Sequence, residues 1–124
     1  MGTATITIDA EKILPKLREI CPFELKGDRW VSEGGNALLE QGDKSLSLAV
    51  TIPHGNLPQV QIGSALLIQF GQCCVPGWDA ATWLKATTAR GNGTEQIMVQ
   101  GAQVKLVKTA VGVLFIIKQA KGFG

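Results

Sequence analysis

The chain has 124 residues, 45% of them hydrophobic, with 12 Lys and Arg against 10 Asp and Glu. That length suits one compact domain with its own core, and the composition excludes a disordered chain. A net charge of +2 excludes the strong basic excess usual in nucleic-acid binders, so a DNA partner would require positive charge gathered on one surface.

In chain order, the start MGTATITIDAEK has neither the basic nor the apolar region of a signal peptide, and Ile6 stands where a myristoylation motif wants Ser or Thr. Thr3, Thr5 and Thr7 alternate with Ala4, Ile6 and Ile8, which predicts a half-buried strand. Asp9 follows as a helix N-cap, and Ile13, Leu14, Leu17 and Ile20 recur at helical spacing on one face. Pro15 should bend or shorten that helix, because it lacks an amide proton and its ring crowds the preceding turn. Lys12 and Lys16 fall one turn apart on its outer side with Glu19, and Arg18 and Glu11 lie at the other edge of the apolar stripe.

Phe23 to Lys26 and Arg29 to Ser32 form a possible small hairpin around Gly27-Asp28. Asn36 to Gln41 and Ser45 to Ile52 read as two strands joined at Gly42-Asp43-Lys44, and Pro53, Gly55 and Pro58 mark a loop. Gln59 to Ile62 and Ala65 to Phe70 are strand-like, broken at Gly63 by a turn or bulge. Asp79 can cap a helix from Ala80 to about Ala89, stopped by Gly91-Asn92-Gly93; a strand over Thr82 to Ala89 is the competing assignment, and the cap and alanines favour the helix. Glu95 to Gln100, Gln103 to Val107 and Val111 to Lys118 complete a meander, ahead of a frayed tail at Lys121 to Gly124.

Little points to catalysis, and no catalytic, metal or cofactor site is expected. His54 is a lone histidine in a Pro- and Gly-bounded loop, Cys73-Cys74 lacks the spacing of a redox or zinc motif, and no phosphate or dinucleotide fingerprint occurs. Three cysteines make a poor disulfide framework and suit reduced thiols in the cytoplasm, and no apolar run reaches the roughly 18 residues of a membrane span. Trp30, Trp78 and Trp83 admit two readings: stacking platforms for single-stranded bases, or anchors of a core or subunit contact. A slightly positive mean hydropathy hints at an apolar face covered by a partner subunit.

The order strand, helix, strands thus occurs twice, over about residues 3–62 and 65–118 of a single 1–124 domain. This order resembles a single domain of the DNA sliding clamps, the processivity rings of replicative polymerases. The likeness is carried by ATITIDAEKILPKLREI, by NALLEQGDKSLSLAVT and by VPGWDAATWLKATTARGNGTEQIMVQGAQVKLVK. The resemblance implies an α+β fold of two strand-helix-three-strand halves, with two helices packed on antiparallel sheets. It also implies a non-enzymatic role in DNA replication, self-association into a homo-oligomer, duplex DNA and replication or repair proteins as partners, and no membrane. Carried over, Lys12, Lys16, Arg18, Lys85 and Arg90 are the candidate DNA-backbone contacts. A closed ring of single domains would need about six copies joined head to tail. The segment Cys21 to Gly35 has no obvious counterpart in a clamp domain. Two rival expectations are an OB-like barrel binding single strands through Trp30 and Trp83, and a structural or adaptor subunit without DNA binding.

Overall fold

A computed structural model describes residues 6–33, 36–51 and 57–119, with side chains described from residue 61 onward in the last stretch. The expected features at Thr3, Ala4 and Thr5, at Gly34-Gly35, around His54 and in the 121–124 tail lie outside the described residues.

Among the described residues the architecture is α+β, with three helices on one face of a seven-stranded antiparallel sheet. Helix α1 (Ala10–Arg18) begins where Asp9 accepts the Glu11 amide proton at 3.1 Å. Its buried stripe is Ala10, Ile13, Leu14 and Leu17. Pro15 is accommodated on the exposed side, and the helix stops two residues short of Ile20, where Glu19 and Ile20 donate to Lys16 and Leu17 in a tighter last turn.

The expected small hairpin forms as β1 (Phe23–Lys26) and β2 (Arg29–Ser32), with Gly27 at φ 69° supplying the turn. It extends the sheet beyond β3 (Ala37–Gly42) and β4 (Ser45–Thr51). The last three strands are β5 (Gly93–Val99), β6 (Ala102–Lys108) and β7 (Gly112–Gln119). The lateral order is β1-β2-β3-β4-β7-β6-β5, so two meanders meet where their final strands, β4 and β7, pair antiparallel.

Two expectations are corrected. Residues 59–62 and 65–70 are not strands broken at Gly63 but part of one continuous helix, α2 (Leu57–Cys74). Its buried positions Gly63, Leu66, Leu67, Phe70, Gly71 and Cys74 repeat at helical spacing, with both glycines inside the stripe. They are small because the helix lies close on its support: a Cβ on Gly63 would stand 2.7 Å from Val50, and one on Gly71 2.8 Å from the Ala80 Cβ. Helix α2 also runs through the expected boundary between halves, giving three helices among the described residues rather than two.

The second correction concerns the first strand. Ile6 to Asp9 join no sheet; the Thr7 amide instead donates to the Cys74 carbonyl at 2.7 Å, at the end of α2. The third helix, α3 (Ala80–Thr88), forms as expected under its Asp79 cap, which accepts the Thr82 amide proton at 3.1 Å and its hydroxyl proton at 2.6 Å. Thr82 to Thr88 are therefore not a strand, which removes the element on which the barrel reading rested.

The core lies between helices and sheet. Leu39, Leu48, Phe115 and Leu106 form one buried cross-strand row, because each is the register partner of the next. Phe70 from α2 meets Phe115 edge-on at 5.3 Å between ring centroids. Trp83 lies 6.1 Å from Phe115 and 5.6 Å from Trp78, which makes an aromatic chain from sheet to α3.

Candidate functional site

The helical face carries the expected cations. Helix α2 touches both α1 and α3, α1 also touches β1 and β3, and α2 also touches β4 and β7. The helices therefore lie across the sheet in the order α1, α2, α3. Lys12, Lys16 and Arg18 are all exposed on α1. Lys16 pairs loosely with Glu19 at 3.8 Å, and the Arg18 guanidinium donates to the Phe23 carbonyl at 3.4 Å. Lys12 is without an ion pair among the described residues.

Lys85 is exposed on α3 and likewise has no ion pair among the described residues. It belongs to the wall of a groove of about 330 Å3 between α2 and α3, in which Leu67, Leu84, Leu106 and Val113 supply apolar surface. Between the two sets of cations lies α2, whose 18 residues include no charged side chain. Among its described side chains, Gln61, Ser64 and Gln72 are exposed. The cations thus form two banks on either side of a neutral helix rather than one continuous patch.

Arg90 stands apart. Its guanidinium donates to both carboxylate oxygens of Glu95, at 3.0 and 3.2 Å, so its charge is already partnered. The hydrogen bond to Glu95 raises Arg90 above its ordinary pKa, and the same bond holds the Glu95 carboxyl below the usual range. Lys108, buried on β6, approaches Glu95 at 3.8 Å and donates to the Thr87 carbonyl near the end of α3. That buried lysine was not singled out in the sequence. Its place as the last inward position of an alternating strand was the available signal.

The aromatic and thiol groups have structural places. Trp83 is stacked into the core through Phe115, and Trp30 on β2 packs at the core's margin. Burial pushes the Cys74 thiol far up and the Cys73 thiol upward to a lesser degree, with the Gln69 amide donating to Cys73 sulfur. Neither thiol is primed as a nucleophile. No helix among the described residues is long and apolar enough to cross a membrane.

No family model, curated protein or solved structure matches this chain. The arrangement offers exposed ammonium and guanidinium groups on a helical surface, suited to contacting phosphate oxygens without directional base readout.

Proposed function

We infer that this chain is a non-enzymatic, clamp-like domain that self-associates and meets the phosphate backbone of duplex DNA through its helical face. The observation that carries this reading is the junction of the two meanders at β4 and β7, with every described helix on one side of the shared sheet. Each meander follows a helix in the chain, α1 before β1 to β4 and α3 before β5 to β7, which supports a two-part reading even though Ile6 to Asp9 form no strand and α2 crosses the expected boundary.

Charge supports the same face. Packed helices stand about 8–10 Å apart, which sets the α1 and α3 banks on the order of 20 Å from each other. Lys12, Lys16 and Arg18 then serve one strand's phosphates and Lys85 the other's, with neutral α2 between them. Arg90 contributes least, being held by Glu95. The contacts are nonspecific, which sliding along a duplex requires.

The test is duplex binding as a function of salt. Each phosphate neutralised contributes about 0.9 to the slope of log affinity against log salt. Replacing Lys12, Lys16 and Lys85 together with Gln should reduce that slope by about 2 to 3 without changing sequence preference. An unchanged slope would remove the helical face from the reading, and no duplex binding at low salt would leave a structural subunit without a DNA role.

A further inference from the structure

The face of the sheet opposite the helices carries its own apolar row. Val31 pairs with Leu38, Leu38 with Ala49, Ala49 with Leu114 and Leu114 with Val107, so these five side chains line up across β2, β3, β4, β7 and β6. Cross-strand partners in an antiparallel sheet share a face. All five are partly exposed, while Leu39, Leu48 and Phe115, their neighbours along the strands, are fully buried on the helix side. None of the five belongs to the helix-side core or packs against it. On the same four central strands the adjacent row reads Glu40, Ser47, Ile116, Lys105, again by direct pairing. It continues outward to Arg29 beside Glu40 and to Gln96 beside Lys105.

We propose that this helix-free face is the surface through which two copies of the chain associate, sheet against sheet, about a dyad parallel to the strands between β4 and β7. The proposal rests on the self-association inferred above and names its surface. The dyad exchanges β4 with β7 and β3 with β6 while keeping each row opposite itself. In the apolar row each copy's Leu38 then lies across from Val107 of the other, and Ala49 lies across from Leu114. In the next row Glu40 of each copy lies across from Lys105 of the other, and the symmetry makes that pair twice.

Charge complementarity is what selects a second copy as the occupant. Glu40 and Lys105 stand at equal distances from the dyad in one row and carry opposite signs. Lys105 has no ion pair among the described residues, and Glu40 shares only the Arg29 guanidinium at 3.4 Å. An apolar row flanked by charges that match under its own dyad is an isologous surface. Face-to-face packing of two such sheets at about 10 Å is the standard sandwich arrangement. It also leaves both helical faces outermost and free for a duplex.

The experiment measures mass in solution for the full chain and for Glu40→Lys, Lys105→Glu and their equimolar mixture, with circular dichroism to confirm folding. Both sites are at the sheet surface, so the single variants should fold. The wild type should be a dimer, and each single variant should dissociate at least about tenfold more readily, because like charges then face each other twice. Mixing the two variants should restore the dimer, since each of its two contacts again sets one ammonium against one carboxylate. A wild-type dimer that neither single variant weakens would overturn this surface while leaving self-association intact. A wild-type monomer would overturn both.

Discussion

The Gln41 side chain on β3 accepts the amide proton of Ala10 at 2.7 Å, across 31 positions of sequence. The same carboxamide donates to the carbonyls of Ile8 at 2.8 Å and Ser45 at 2.9 Å. One residue thereby ties the chain entering α1 to the β3–β4 turn, and it occupies the free amide at the first turn of the helix.

Replacing Gln41 with Leu should therefore loosen α1 from the sheet. The Ala10 amide would lose its partner next to a fully buried side chain, at a cost of about 1–3 kcal/mol. Urea denaturation should show a lower midpoint with an unchanged slope. An unaltered midpoint would mean that water replaces the carboxamide without penalty.

Gly71 sets how closely α2 approaches α3. A Cβ there would stand 2.8 Å from the Ala80 Cβ and 3.3 Å from the Phe115 ring, and the Ala80 methyl has no rotamer by which to yield. Alanine at this position gains about 1 kcal/mol of helix propensity against that clash. Valine gains less and adds volume, so Gly71→Val should destabilise by about 2–3 kcal/mol in thermal or urea unfolding. A neutral result would show that α2 can shift away from Ala80 freely.

Lys108 gives the last turn of α3 a buried donor, and Lys108→Met would remove it from the Thr87 carbonyl while leaving Glu95 with Arg90 alone. The expected loss is about 1–3 kcal/mol, against less than about 0.5 kcal/mol for Lys12→Met on the exposed side of α1. Calorimetric melting of the two variants under one buffer distinguishes them.

Acidification should lower the melting temperature. The Arg90 hydrogen bonds hold Glu95 below the ordinary carboxylate range, and the Thr82 hydroxyl and amide do the same for Asp79. A carboxylate with a lowered folded-state pKa stabilises above its unfolded value, and that stabilisation is lost as pH falls through the lowered one. Asp79→Asn and Glu95→Gln should melt lower than wild type near neutral pH yet show a shallower decline on acidification. Parallel curves for wild type and both variants would remove these two carboxylates as the cause.

Much of the local structure was legible in the residues. The Asp9 and Asp79 caps, the Gly27 turn and the alternating inner positions of β4, β6 and β7 follow from side-chain spacing and backbone preference over a few residues. Helix α2 is not legible in the same way, because its buried stripe includes Gly63 and Gly71, and a glycine between two apolar runs predicts a turn or bulge as readily as a close helix contact. The segment Ile6 to Asp9 alternates like a strand, yet its partner is the end of a helix. Of the expected site, Lys12, Lys16, Arg18 and Lys85 emerged on the helical face, whereas Arg90 is taken up by Glu95, a residue that spacing alone did not tie to it.

What the sequence by itself determined was the inward face of each alternating strand and the starts of α1 and α3, because neighbouring atoms decide these. Only the tertiary structure decided that β4 lies beside β7. That single nonlocal pairing puts Glu40 and Lys105 into one row and Phe115 under Phe70. It also decided that α2 separates the two banks of cations. Pairing between distant segments depends on how whole surfaces bury one another, and no short window of residues contains that information.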